Sequence, residues 1–338
     1  MNAVTLDGID RDLVHALQID GRAPFRTIAE VLGISENTVA RRYRRLRAHG
    51  VLRVAGVFNG VPLGHTSWTL RLQCLPDAAD AVATALAGRS DTSFVYVLCG
   101  GAEISCNVRT PSADERDALF LRKLPRTGRI TSVSAHLLLR ATALPHTWAG
   151  AARLSAEQVR RLQPPASASF PLPLPLSSAP SSLSAEPSAP DAQDRAMLDL
   201  LARDGRTGYR ALAVAARVTD STAKRRLDAL RRAGVLTYAV DIAPAALGFP
   251  TEARLWMSVR PAALAGVATA MAQHPEVSFA AMTTGPSNLV AAVNCRNPDD
   301  LCRYLTERVA ALDGVRSMES APVIRTLKRC GATLPVGR

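Results

Sequence analysis

Aromatic residues make up only 4% of this 338-residue chain, so its core must be closed mainly by aliphatic side chains and alanine. No apolar run approaches the ~18 residues that a membrane-spanning helix needs, which argues against a chain that crosses a bilayer. The six cysteines (Cys74, Cys99, Cys106, Cys295, Cys302 and Cys330) include no C-x-x-C spacing. Reduced thiols in a cytoplasmic protein are therefore expected, and structural zinc is not. The opening MNAVTLDGIDRD has acids where a secretory signal has a basic and then an apolar region, so export is not expected. P-loop, dinucleotide fingerprint, G-x-S-x-G and H-E-x-x-H are all absent. The histidines (His15, His49, His65, His136, His146 and His274) show no paired motif spacing. No catalytic residue, cofactor or metal site is expected from these features.

What the chain does have is positive charge. Its 41 basic and 29 acidic side chains leave a net charge of +12. An excess of that size points to a polyanion such as double-stranded DNA. An arginine-rich genome would give the same total, so the placement of the charge has to decide.

The sequence also contains a copy of itself. A shift of 184 residues pairs 10–52 with 194–236 without a gap, and 16 of the 43 positions are identical. The identities include Asp20-Gly21-Arg22 with Asp204-Gly205-Arg206, and Gly50-Val51-Leu52 with Gly234-Val235-Leu236. Chance matching at ordinary composition gives roughly one identity in fifteen, so the chain is a tandem duplication. The register slips by one residue further on, where Gly100 meets Gly285. Between the copies, Gln163 to Pro190 is dominated by proline, serine and alanine, with Glu186 its only charge. Such a stretch reads as a flexible linker spanning about 30 Å, preceded by a short helix over 155–162.

Each copy opens with three helices, in the first near 7–19, 24–32 and 36–49. Alternating apolar residues then predict strands at 66–74, 92–99, 104–109 and 130–140, with helices at 77–88 and 113–124 between them. Ser112 and Glu115 form a capping box for the second of these, and Asn297-Pro298 starts its counterpart. The order βαββαβ is that of a ferredoxin-like sandwich. The expected fold class is α+β, with two tandem copies of a winged helix-turn-helix domain followed by a ferredoxin-like domain. The boundaries are 1–58, 59–145, a linker at 146–190, 191–242 and 243–330.

The third helix of each copy carries the charge. With Val39 set at zero on a helical wheel, Tyr43 falls at about 40° and Leu46 at about 340°, forming one apolar stripe. Asn37, Arg41, Arg44 and Arg45 fall on the opposite face. Ser35 is the expected N-cap, and Gly33 occupies the tight turn before it. Residues 35–49 hold five arginines against one glutamate, net +4, and 219–233 are net +3. Thirty residues thus carry seven of the twelve excess charges, which a genomic bias would have spread. The candidate DNA-binding residues are Ser35, Asn37, Thr38, Arg41, Arg42, Arg44 and Arg45, with Ser221, Thr222, Lys224, Arg225 and Arg226 in the second copy. Polar groups near the helix N-terminus reach base edges, and arginines further along meet phosphates. In the second copy Arg217 replaces the turn glycine, Ala223 replaces the anchoring valine, and Asp228 stands where Arg44 stands. That copy is expected to be the weaker reader, or a reader of a different sequence.

Leu6-Asp7-x-x-Asp10, the stretch IAEVLGISENTVARRYRRLRAHGVL over 28–52, Leu63-Gly64 and the following βαββαβ unit resemble the Lrp/AsnC (leucine-responsive, feast/famine) family of transcriptional regulators. The resemblance covers each copy nearly end to end and implies two fused regulator subunits, each ending in the RAM-type effector and dimerisation domain. It further implies a small-molecule effector such as an amino acid, bound near a glycine-x-aromatic-aspartate turn. The matching positions are Gly100–Glu103 and Gly285–Asn288, where both aromatic and aspartate are missing. Gly100, Glu103, Gly285 and Asn288 are the candidate effector residues, with Glu103 the one group able to take an ammonium. Sirohaem decarboxylases resemble the same family in fold, so a tetrapyrrole enzyme is the alternative, followed by an interaction scaffold that does not bind DNA. Pairing of 65–140 with 251–327 inside one chain is expected, giving a pseudo-dimer open to higher homo-oligomers.

Overall fold

The computed structural model describes residues 5–124, 128–145, 148–163 and 189–334. Most of the expected linker, 164–188, lies outside the described residues, as does His146. The first copy runs α1 (Gly8–Ile19), α2 (Phe25–Leu32), α3 (Glu36–Ala48), β1 (Leu52–Phe58), β2 (Thr66–Cys74), α4 (Ala79–Ala87), β3 (Thr92–Leu98), β4 (Glu103–Thr110), α5 (Ala113–Asp117) and β5 (Ile130–Ala143), followed by α6 (Ala156–Leu162). The second runs α7 (Ala192–Arg203), α8 (Tyr209–Ala216), α9 (Asp220–Arg232), β6 (Leu236–Ile242), β7 (Thr251–Val259), α10 (Leu264–Ala272), β8 (Val277–Thr283), β9 (Leu289–Cys295), α11 (Pro298–Arg303), β10 (Val315–Arg329) and β11 (Ala332–Thr333). These elements sort into two compact units, residues 1–63 with 145–250 and residues 64–144 with 251–338. Each unit therefore takes one segment from each copy.

The first unit holds both helical triplets. Asp7 caps α1 by accepting from the Asp10 amide at 2.9 Å, and Asp10 returns the favour to the Asp7 amide at 3.2 Å. This reciprocal bonding satisfies two donors that the first helical turn leaves open. Gly33, at φ +67°, ends α2 in the left-handed region, and Ser35 caps α3 by accepting from the Thr38 amide at 3.1 Å. Leu13, Leu17, Ile28, Val39, Tyr43 and Leu46 close one core, and Met197, Leu201, Leu212, Leu227 and Leu230 the other. After each triplet, in the place of a wing, a strand leaves and pairs with the other copy rather than folding into a local hairpin. β1 and β6 form an antiparallel ribbon with Ala55 opposite Ala239 at its centre. Those residues are 184 positions apart, so the ribbon sits on the pseudo-twofold relating the triplets.

A strap over 148–163 also belongs to this unit. Trp148, Ala151 and Leu162 are buried against the first triplet. Gln158 donates to the Val31 carbonyl at 3.0 Å, and Arg153 pairs with Asp12 at 2.7 Å.

The second unit is built on the expected βαββαβ order, repeated. Its strands run β3-β4-β2-β5 in the first copy and β8-β9-β7-β10 in the second. β5 and β10 are long, at 14 and 15 residues, and each serves both sheets. β5 pairs first with β2, then with β8 from Leu138 onward. β10 pairs first with β7, then with β3 from Val323 onward. The exchange closes the strands into a ring, so none of these edges is left unpaired. Outward-facing Leu70, Leu72, Val95 and Ile104 meet α4, and Leu255, Met257, Leu289 and Val293 meet α10 and Tyr304. The inner faces meet through Tyr96, Leu98, Trp256, Phe279, Val290 and Ala321.

Candidate nucleic-acid interface

Helix α3 buries Val39, Tyr43 and Leu46 and turns its other side outward. Asn37, Arg41, Arg44 and Arg45 are exposed, and Thr38 is half-buried. Helix α9 repeats the arrangement, with Ala223, Leu227 and Leu230 buried and Ser221, Lys224 and Arg225 exposed. Arg41, Arg44, Lys224 and Arg225 form no ion pair with another of the described residues. They present uncompensated charge on one face of each helix.

Arg42 and Arg226 leave the DNA-facing set. Arg42 donates through Nη1 to Asp7 at 2.6 Å and to Asp10 at 2.9 Å, and Asp10 is fully buried. Arg226 repeats this on Asp191 and Asp194, at 2.9 and 3.0 Å. The physical reason is on the wheel: Arg42 lies at about 300°, beside the apolar stripe, so its side chain runs back along α1 rather than outward. Each of these arginines clamps its recognition helix to the capping box of the first helix. The backbone amide of Asp10, then the Arg42 guanidinium, hold the Asp7 carboxyl below its usual range, and the two carboxylates raise Arg42. Arg45 divides its role, since it is exposed yet also hydrogen-bonds Asp10.

Three of the differences between the copies bear directly on this clamp, the exposed charge and the turn. Ala229 stands in place of Arg45, so Asp194 has one arginine partner where Asp10 has two. Asp228 stands in place of Arg44. Arg217 takes the turn at φ +55°, a left-handed conformation in which a side chain costs about 1 kcal/mol relative to glycine.

Across the unit the triplets are tied by reciprocal arginines. Arg22 donates to the carbonyls of Gly205 and Thr207 at 2.7 and 3.0 Å, and Arg206 to those of Gly21 and Ala23 at 2.8 and 2.9 Å. Arg22 lies over Tyr209 and Tyr238, and Arg206 over Phe25 and Tyr43. Arg47 reaches Asp204 at 3.0 Å and Arg231 approaches Asp20 at 3.9 Å. Sequence reading missed all of these. The identity of Asp20-Gly21-Arg22 with its repeat was the available signal, since a duplicated exposed turn has no need to stay the same.

The two glycine turns of the second unit are correctly placed between β3 and β4 and between β8 and β9, but their polar groups are spent. Glu103 is buried, and Arg71 holds both its oxygens, Nη2 donating to Oε2 at 3.1 Å. Arg71 in turn binds Glu319 of the second copy and lies 4.4 Å from the Trp256 ring centroid. The Arg71 guanidinium holds Glu319 below its usual range. Both Glu103 oxygens therefore already accept from a cation of its own chain. Asn288 accepts from the Val259 amide at 2.9 Å and donates to the Val259 carbonyl at 2.8 Å, so it too is a structural tie. Gly100 is open, with no atom near the place of a side chain, whereas Gly285 lies against the ring of His136.

Comparison with known proteins agrees with these features. The profile of the AsnC-type helix-turn-helix domain matches residues 6–47 and 191–231, and that of the Lrp/AsnC ligand binding domain matches 252–333. An uncharacterised HTH-type transcriptional regulator of Pyrococcus abyssi is 32% identical over 142 residues, covering 42% of this chain and 89% of that protein. The regulatory protein AsnC of Escherichia coli is 30% identical over 149 residues, 41% of this chain and 95% of its own length. Among solved structures, the siroheme decarboxylase NirDL superposes over 97% of this chain and 94% of its own, with a TM-score of 0.60 and 14% identity. That likeness is one of fold.

Proposed function

Because the chain belongs to the Lrp/AsnC family of transcriptional regulators, we propose that it reads double-stranded DNA as a single-chain counterpart of a regulator dimer, through two unequal recognition helices. Asn37 and Thr38 approach base edges, and Arg41, Arg44 and Arg45 meet phosphates. Ser221, Thr222, Lys224 and Arg225 make the weaker set. Asp228 repels phosphate where Arg44 attracts it. The observation that carries the reading is the pairing of exposed, uncompensated arginines on both helices with the reciprocal Arg22 and Arg206 contacts that hold the helices in one unit. A protein of this kind performs no catalytic step of its own, and its response to a small molecule passes through the paired ferredoxin-like domains. Genomic footprinting of the intact protein tests the reading, with the Arg41→Ala, Arg44→Ala double variant as control. Discrete protected sites lost in that variant support it, and equal occupancy by both proteins overturns it.

A further inference from the structure

The two helix-turn-helix segments carry the same net charge in different places. Residues 26–45 and their counterparts 210–229 each hold a net +3. In the first copy all of it lies on residues 35–45, because Arg26 is cancelled by Glu30, 3.0 Å away on the next turn of α2, and the turn itself is Gly33. In the second copy residues 219–229 keep only +1, and the other +2 sits on α8 and its turn, as Arg210 and Arg217. Val214, 74% exposed, stands in place of Glu30, so Arg210 lacks the carboxylate that neutralises its counterpart. Both arginines are exposed, and neither forms an ion pair with another of the described residues. With Arg210 at zero on a helical wheel, Val214 falls at about 40° and Arg217 at about 340°, so the two charges share one stripe of α8. Two residues beyond Arg217, Thr219 caps α9 by accepting from the Thr222 amide at 3.3 Å. The stripe thus ends at the turn that delivers Ser221 and Thr222. Arg217 also holds φ +55° and ψ +45°, a conformation that disfavours a side chain and that Gly33 adopts freely at φ +67°. A charged residue kept in a strained turn without a partner among the described residues points to a contact outside the chain.

We infer that Arg210 and Arg217 each hold a DNA backbone phosphate, so that the second copy grips the duplex from α8 and the turn, where the first grips it from the body of α3. The inference deepens the DNA-reading proposal and rests on it. Asp228 and Ala229 stand where Arg44 and Arg45 stand, so α9 lacks phosphate partners at its far end. That end lies about 15 Å from the turn, at 1.5 Å per residue. Arg210 and Arg217 restore the missing charge at the near end. Arginine suits the task, because its planar fork can hold two phosphate oxygens and stays charged at any working pH. Asp220 lies in the first turn of α9, but Glu36 holds the same place in α3, so the acid does not offset the difference between the copies. The two half-sites are therefore contacted at different phosphates. A chain of this kind fits an operator without backbone symmetry and binds it in one orientation.

The test uses the full chain and a genomic DNA fragment that it protects in footprinting, with affinity followed against salt. The double variant Arg210→Gln, Arg217→Gly should lower the salt slope by about two phosphates' worth, so that the parent's advantage grows on the order of tenfold between about 200 and about 50 mM salt. Arg217→Gly alone and Arg210→Gln alone should each lower the slope by about one. The melting temperature of Arg217→Gly should not fall, because glycine suits the turn. Arg217→Lys, which keeps the charge, should retain the slope. Arg26→Gln should leave it unchanged, since Glu30 already cancels that charge. Phosphate ethylation should interfere at unlike positions in the two half-sites, and one set should disappear in the double variant. An unchanged slope in the double variant overturns the inference, as does a loss at Arg26→Gln equal to that at Arg210→Gln. A fall in melting temperature that accompanies the loss at Arg217→Gly marks a structural role and overturns it too. The Arg41→Ala, Arg44→Ala variant separates the two claims. If that variant loses the fragment while Arg210→Gln, Arg217→Gly binds like the parent, this contact is rejected and the regulator stands. If the intact protein protects no fragment, the regulator reading fails and the contact with it.

Discussion

Arg22 and Arg206 are exchanged across the helical unit: the guanidinium of each donates to backbone carbonyls of the other copy's turn, and each stacks on the other copy's aromatic rings. Backbone acceptors do not depend on side-chain identity, so this contact persists while the copies diverge around it. Arg206→Ala should cost about 3 kcal/mol, the weight of two charge-assisted hydrogen bonds, with Arg22→Ala similar. The double variant should cost less than the sum, because losing either arginine loosens the turns on which the other acts. Urea unfolding of the four proteins measures the coupling, and strict additivity would refute it.

Charge removal should separate reading DNA from holding the reader. Arg41→Ala, Arg44→Ala should weaken operator binding and reduce the salt slope by about two phosphates' worth, with the melting temperature unchanged. Arg42→Ala should lower stability by about 3 kcal/mol, since it strips a partner from the buried Asp10. Matched titrations and melts check both. The assignment fails if Arg42→Ala proves as stable as the parent.

The two recognition helices should contribute unequally. Arg41→Ala should cost more operator affinity than Arg225→Ala, because Asp228 and Ala229 already deprive α9 of the charge that Arg44 and Arg45 give α3. Equal losses in a salt-controlled binding assay would restore equal readers on a palindromic site.

The strap should respond to acid. His15 Nδ1 accepts from the amides of Arg153 and Leu154 at 3.0 and 2.9 Å, which only a neutral imidazole can do. Burial pushes its pKa below 6.5, with neighbouring Asp12 opposing. The unfolded state therefore binds the proton more readily. The contribution is complete above about pH 6.5 and is lost as pH falls below it, at no more than about 1.4 kcal/mol per pH unit. Proteolysis of the strap should accelerate between pH 7.5 and 5, and His15→Gln should flatten that change. An unchanged pH profile in the variant would exclude His15 as the sensor.

Gly285→Ala should be the more damaging of the two turn substitutions. Both glycines have positive φ, at +68° for Gly100 and +99° for Gly285, but an added Cβ at 285 would lie 2.2 Å from His136 Nδ1 and at 100 would meet nothing within 4 Å. The clash term, not the backbone term, should be relieved in the His136→Ala background, as melting of the four proteins would reveal.

Much of this molecule was legible in its sequence, because helix and strand periods are local signals. α3 and α9 followed from the apolar stripe, and β2 from strict alternation over Thr66–Cys74. The charge of the recognition helices was equally plain, but its division was not. A wheel treats Arg42 and Arg45 as surface groups until the position of Asp10 is known, and that depends on how α1 packs. β1 was missed since LRVAGVF is a strand only by virtue of β6, 184 residues away. The glycine turns were located correctly, whereas Arg71, in an ordinary alternating strand, gave no sign that it would reach Glu103.

Arg71 and Trp256 hold equivalent positions in their copies, on β2 and β7, and meet each other. In an assembly of two like subunits the same axis would bring Arg71 against a second Arg71, or Trp256 against a second Trp256. The first would oppose two cations with only the glutamates to separate them, and the second would crowd two indoles where one now covers a guanidinium. The halves of this protein have thus lost their interchangeability. Cutting the chain within 164–188 should leave a one-to-one complex and not two homodimers, and two such chains mixed together should keep to their own complements.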